Sequence, residues 1–170
     1  AILRRLLTVH DAQRAKIRIR HAPRAVAQED TPRDALAAMP DCSILRAAEA
    51  VRDGAADVLV SAGNTGAVTL ACARTFERLP GVARCALGAV YPTERRRGEK
   101  DDPFSLILDA GLTLEASADD LVAFALMGSA YAARISKNPQ PRVALLSNGA
   151  EPGKGIGAVV EAHRRLAELA

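Results

Sequence analysis

Three stretches of this sequence set glycines and polar side chains directly after a short apolar run: V-S-A-G-N-T-G-A (Val60–Ala67), S-L-I-L-D-A-G (Ser105–Gly111) and R-V-A-L-L-S-N-G-A-E-P-G-K-G (Arg142–Gly155). Glycines let a backbone come close to a ligand, and a helix that follows offers unpaired N–H groups, so the chemistry this pattern suits is the holding of an anion. The candidate binding residues are Gly63, Asn64, Thr65 and Gly66 in the first loop, Gly111 in the second, and Asn148, Gly149 and Gly155 in the third. Lys154, at the mouth of the last helix, can neutralise a phosphate or a developing oxyanion; Glu151 and Asp109 are the carboxylates that stand with it. Spacing alone leaves a plainer reading open, in which Asn64 or Thr65 is a simple N-cap, Glu151 and Lys154 are solvated, and Asp109 caps a turn. Three loops at the same strand end predict one shared pocket.

The motifs that are missing narrow the chemistry. Neither G-x-G-x-x-G nor G-x-x-x-x-G-K-[ST] occurs, which leaves a dinucleotide or Walker-type site unsupported. His10, His21 and His163 lie far apart without metal-ligand spacing, so no metal is expected. There is no G-x-S-x-G elbow, and no Cys and His arrangement stands out as a nucleophile pair. No cofactor is expected either.

The elements that must position these residues read as an aliphatic α/β protein. Hydrophobic residues make up 49% of the 170 and aromatics only 3%, with no Trp, which argues against a single-strand nucleic-acid binder built on stacked bases. The net charge of +3 is too small for a nucleic-acid footprint, although basic residues cluster at Arg4, Arg5, Arg14, Lys16, Arg18, Arg20 and Arg24, and again at Arg95–Arg97. Cys42, Cys72 and Cys85 are dispersed, as small buried hydrophobes are in a reducing cytosol. No apolar run is long enough to span a bilayer.

Along the chain, a helix over Ala1–Val9 precedes an alternating edge strand, Lys16–His21, and a polar, proline-punctuated loop over Gln28–Pro40. Ser43 reads as the N-cap of a helix that carries Ile44, Ala48 and Val51 and stops at Gly54. Strands are predicted at Val58–Ser61, Arg84–Tyr91, Ser105–Asp109 and Val143–Ser147, with Glu94–Pro103 as an exposed loop. A helix with Val68, Cys72 and Phe76 on one stripe follows the first loop. Ser117 and Asp120 have capping-box spacing ahead of an almost wholly apolar helix, and His163 falls on the stripe of the last helix with Ile156, Val159, Val160 and Ala167. Strands alternating with helices predict a doubly wound αβα layer sandwich with a mostly parallel sheet, as one α/β domain over residues 1–170.

The sequence resembles the PlsX-type phosphate acyltransferases, which join orthophosphate to the acyl group of acyl-[acyl-carrier-protein]. Five islands carry the likeness in the same order: Val60–Ala67, Leu79–Leu87 with Pro92-Thr93, Leu108–Gly111, Leu121–Ala132 and Pro141–Gly155. The resemblance implies a fold like that of the isocitrate and isopropylmalate dehydrogenases, a cytoplasmic homodimer, an acyl carrier protein partner, and peripheral membrane contact through parts outside this chain. Carried over by position, Lys154 matches the family lysine thought to assist acyl transfer, Glu151 and its glycines match that loop, and Gly63–Gly66 match the facing loop. The family's opening D-A-M-G-G-D loop and its carboxyl-terminal half are not in these residues, so the chain is expected to be the middle of a longer acyltransferase. Departures from the family words, among them Ala37–Asp41 for a basic run and Ser147-Asn148 for an Asn-aliphatic pair, keep two alternatives in view. One is a phosphate acetyl- or butyryltransferase using coenzyme A; the other is a non-catalytic paralogue that binds phosphate ligands.

Overall fold

Proline lacks the N–H that a helix interior needs, but at the first helical position that N–H has no partner to lose and the fixed φ suits the turn. Pro32 opens a helix in this way, inside a stretch expected to be a loop. The computed structural model describes residues 2–9, 17–92, 104–135, 139–151 and 153–169. It has helices α1 (Ile2–Val9), α2 (Pro32–Ala38), α3 (Ser43–Arg52), α4 (Thr65–Thr75), α5 (Ala118–Ile135) and α6 (Gly157–Ala167), and strands β1 (Ala89–Pro92) and β2 (Phe104–Ile107). Arg14, Lys16, His10, Arg95–Arg97 and the predicted Glu94–Pro103 loop lie outside the described residues. The chain divides into two compact units, Ala1–Glu77 and Arg78–Ala170.

The first unit is built on aliphatic burial. Val26, Ala35, Leu36, Cys42, Ile44, Ala67 and Ala71 form one core, with Met39, Leu45, Val68 and Leu70 packed against it. α4 packs on both α2 and α3. Gln28–Pro40 is therefore not a loop throughout, because Ala35 and Leu36 give α2 an apolar face to bury. α3 begins at Ser43 with Cys42 as N-cap, one residue before the predicted cap, and ends ahead of Gly54, whose φ of 69° suits a helix stop.

The second unit places α5 against α6 and against β2. Ser117 and Asp120 do form a capping box: the Ser117 N–H donates to Asp120 Oδ2 at 3.0 Å and the Asp120 N–H donates to Ser117 Oγ at 3.2 Å. Val122 and Phe124 are buried, whereas Leu126 and Tyr131 are more than half exposed. In α6 the buried residue is Ala162, and His163 is exposed, as are Ile156 and Ala167. The stripe predicted through His163 is thus not the packed one; the inward face turns through Ala162 and half-buried Val159 and Leu166.

The molecule is mixed α/β, but the sheet among the described residues is a two-stranded antiparallel pair running from Ala89↔Ile107 to Pro92↔Phe104. The runs Val58–Ser61 and Val143–Ser147 do not form ladders, and Lys16–His21 forms none over its described residues. Val60 is 91% exposed and Leu146 81% exposed, so these runs have strand-forming composition without a strand beside them. A ladder needs a partner backbone, which a local pattern cannot supply.

Candidate functional site

The first loop owes its shape to Asn64. Asn64 Oδ1 accepts the N–H of Ala67 at 3.0 Å and so caps α4. Its Nδ2 donates to the carbonyls of Ala27, Gln28 and Asp30 at 3.2, 3.2 and 2.9 Å. With the side chain buried and its oxygen and nitrogen both engaged, Asn64 ties the loop to the 27–30 turn, which Asp30 Oδ2 closes by accepting the N–H of Ala27 at 2.8 Å. Gly66 is required by packing: a Cβ there would stand 2.8 Å from Cγ of Pro32. Gly63 and Thr65 remain exposed, and the Gly63 N–H donates to Ser61 Oγ at 3.1 Å. What this loop leaves for a ligand is backbone around Gly63 and the Thr65 hydroxyl. Pro32 and Asp30, which support it, were not singled out from sequence; the signal was a Thr-Pro pair ahead of an apolar turn.

In the second unit, Asp109 closes the turn that follows β2. Its Oδ1 accepts the N–H of Leu87 at 2.7 Å and its Oδ2 the N–H of Thr113 at 2.6 Å, while the Ala110 N–H donates to the Leu87 carbonyl at 2.8 Å. Burial pushes the Asp109 carboxyl up, but the N–H groups of Leu87, Thr113 and Leu112 outweigh it and hold the group below its ordinary value. Gly111, with φ of 103° and open space around it, lets the chain turn inside this brace.

The third loop is folded tightly over glycine. A Cβ at Gly149 would lie 2.6 Å from Glu151 Oε2 and 2.9 Å from Lys154 Cγ, so both side chains cross the Gly149 backbone. The Lys154 N–H donates to the Glu151 carbonyl at 3.1 Å. Gly155 has φ of 103°, and a Cβ there would meet Ser147 Oγ at 2.8 Å and Val159 Cγ1 at 3.0 Å. α6 then starts at Gly157 without a side-chain cap and without an acidic residue in its first turn. An uncapped helix start beside an exposed lysine is a positive end that an anion can approach. Asn148 is exposed, and its Oδ1 accepts from Ser147 Oγ at 3.3 Å. Among the described residues no three His, Cys, Asp or Glu side chains gather to hold a metal ion, and no helix is long and apolar enough to cross a membrane.

A fold of short glycine loops opening onto helices, with a lysine and a carboxylate on one of them, is consistent with a protein that handles anionic substrates. The sequence profile of the Fatty acid synthesis protein family matches residues 2–170, and the chain belongs to that family. Among its relatives, the phosphate acyltransferase of Roseobacter denitrificans is 40% identical over 144 residues, 85% of this chain and 39% of the relative. The phosphate acyltransferase of Exiguobacterium sibiricum is 37% identical over 157 residues, 92% of this chain and 46% of the relative. That of Geobacter sulfurreducens is 39% identical over 153 residues, 90% and 42%. The chain spans less than half the length of these relatives.

Proposed function

We propose that the complete protein transfers a fatty acyl group from acyl-[acyl-carrier-protein] to orthophosphate, giving an acyl phosphate for phospholipid synthesis. The observation that carries this reading is family membership over residues 2–170 together with relatives named phosphate acyltransferase. The Lys154 loop supports it physically. A phosphate oxygen attacks the thioester carbonyl, the carbonyl oxygen becomes an oxyanion, and the C–S bond breaks as the pantetheine thiolate leaves. Such a reaction needs positioning and positive charge at the developing oxyanion more than a protein nucleophile. Lys154 is assigned the oxyanion, and Glu151 the proton of the attacking hydrogen phosphate. Backbone N–H groups of the Gly149–Gly155 loop and of Gly63–Gly66 are assigned to phosphate oxygens, with Thr65 and Asn148 as polar neighbours. Asp109 acts by bracing the loop that carries Gly111, and Asn64 by shaping its own loop.

In the same reading the extended runs Val58–Ser61 and Val143–Ser147 are strands of a doubly wound, mostly parallel sheet in the complete protein, which works as a cytoplasmic homodimer. Its peripheral membrane contact belongs to parts outside this chain. A second reading rests on Ser147 and Asn148, which depart from the family words: a paralogue that binds phosphate without turnover. Incubating the complete protein with phosphate and either acyl-[acyl-carrier-protein] or acyl-CoA, and trapping acyl phosphate as the hydroxamate, separates these. Product from the carrier-protein thioester is expected. Product from acyl-CoA alone assigns a coenzyme A enzyme, and phosphate binding without product assigns the paralogue.

A further inference from the structure

We infer that Asp30 is a positioning residue for the loop Gly63–Gly66, acting through the side-chain amide of Asn64. This assignment rests on the acyl-transfer reading, in which that loop holds phosphate. Asp30 engages three of its groups in one short turn. Its Oδ2 accepts the N–H of Ala27 at 2.8 Å, its own N–H donates to the Ala27 carbonyl at 3.3 Å, and its carbonyl accepts from Asn64 Nδ2 at 2.9 Å. Ala27 is thereby held at both its N–H and its carbonyl, and the carbonyls of Ala27 and Gln28 also accept from Asn64 Nδ2, each at 3.2 Å. Three carbonyl oxygens aimed at one point repel one another, so a turn that presents them has to be closed by a further bond. The Asp30 carboxylate closes it. Asp30 makes no ion pair among the described residues, so its carboxylate serves as an acceptor in a fixed place rather than as the partner of a cation.

The turn decides which way Asn64 faces. An amide keeps nearly the same shape when its oxygen and nitrogen exchange places, but Oδ1 turned toward the carbonyls of Ala27, Gln28 and Asp30 would set acceptors against acceptors. Only Nδ2 fits there, which leaves Oδ1 to accept the N–H of Ala67 at 3.0 Å. With the cap on Ala67, the N–H groups of Thr65 and Gly66, the first two of α4, have no intrahelical partner; in the acyl-transfer reading they are donors to phosphate oxygens. The same segment supports the other side of the loop, since the ring of Pro32, two residues after Asp30, would stand 2.8 Å from a Cβ on Gly66. All of these residues belong to one compact unit, Ala1–Glu77. Loosening the 27–30 turn therefore lets the Asn64 amide rotate and misdirects the Thr65 and Gly66 N–H groups. The effect of Asp30 on the anion passes through Asn64.

The test is calorimetric titration of inorganic phosphate into the complete protein, at a temperature where circular dichroism shows each variant folded. Asp30→Ala and Asp30→Glu are expected to weaken phosphate binding about tenfold or more, the scale of one lost hydrogen bond to a charged group. Glu keeps the charge but carries its oxygens one methylene further out. Asp30→Asn keeps an acceptor at the same reach and should restore most of the affinity. In an Asn64→Ala background, Asp30→Glu should bring no further loss, because the amide it acts through is gone. If Asp30→Ala does not fold, the Glu and Asn variants decide. Phosphate affinity unchanged in the folded Ala and Glu variants, with only a lower melting temperature, makes Asp30 a stabilising residue; that overturns this role and leaves the acyl-transfer reading standing. An Asp30→Asn protein as weak as Asp30→Glu also overturns it, since a fixed acceptor would then not be what matters. A natural protein that binds no phosphate removes the loop from the acyl-transfer reading, and this role with it.

Discussion

Asn64 Nδ2 donates to the carbonyl of Asp30 at 2.9 Å across a separation of 34 residues, so a helix cap doubles as a tie between two loops. The same nitrogen serves Ala27 and Gln28, and the oxygen of that amide serves Ala67. Asn64→Ala removes the cap and leaves three part-buried carbonyls without their donor. A loss of about 2–4 kcal/mol in unfolding free energy is expected, from a cap of ~1 kcal/mol and unsatisfied groups of about 1–3. Urea denaturation of both proteins measures it, and a change under 0.5 kcal/mol, roughly the scatter for ordinary surface substitutions, would remove the tie from the account.

Gly66 and Gly155 call for glycine for different reasons, and their substitutions should differ accordingly. Gly66→Ala forces a Cβ against the Pro32 ring with an ordinary backbone, so it loosens α4 from α2 and should lower stability by about 1–3 kcal/mol. Gly155→Ala meets both a φ of 103° and the Ser147 and Val159 side chains. It should distort the Lys154 loop and lower acyl phosphate formation in the complete protein more than it lowers the melting temperature. Equal effects of the two substitutions on turnover would contradict this.

The bonds to Asp109 fix the sign of a pH dependence. Its folded carboxyl lies below the ordinary value of 3.8, so the ionised form contributes stability that is present above about pH 4 and is lost as pH falls through the folded value. Asp109→Asn should therefore be less stable than the natural protein at pH 7, with the gap closing as both are acidified towards pH 2. Urea midpoints of the pair along that range give the answer; a gap independent of pH would mean that the carboxylate charge plays no part.

Lys154 is exposed and makes no ion pair among the described residues, so its removal should leave the fold intact. Lys154→Ala in the complete protein is expected to reduce acyl phosphate formation roughly 10²–10³-fold, the scale of losing one donor to a developing oxyanion. Lys154→Arg keeps the charge and should retain part of the rate. Undiminished turnover in the alanine variant would take the lysine out of the mechanism.

Several elements were legible because their signals are local. Ser117 and Asp120 sit three residues apart and cap α5 as read, and the glycine-bracketed turn before α4 is present with Asn64 as its cap. The stop at Gly54 follows from one residue type. α2 was hidden because Pro32, Arg33 and Asp34 look like loop residues until Ala35 and Leu36 find α4 to pack on. The stripe through His163 failed because the period of a helix gives its faces but not which face is covered. The resemblance to phosphate acyltransferases was also legible, since five ordered islands identify a family whatever each loop does alone.

By itself, then, the amino-acid sequence determined the family, the aliphatic composition of the core, the capped helices and the glycines that permit tight turns. These depend on residue type and short spacing, which need no distant partner. Only the tertiary structure decided that the Asn64 amide is spent on three carbonyls some 35 residues away, that Asp109 braces a turn through Leu87 and Thr113, and that the valines at 58 and 60 lie open. Hydrogen bonds and ladders are made between groups that the fold brings together, and their partners cannot be read from either segment alone.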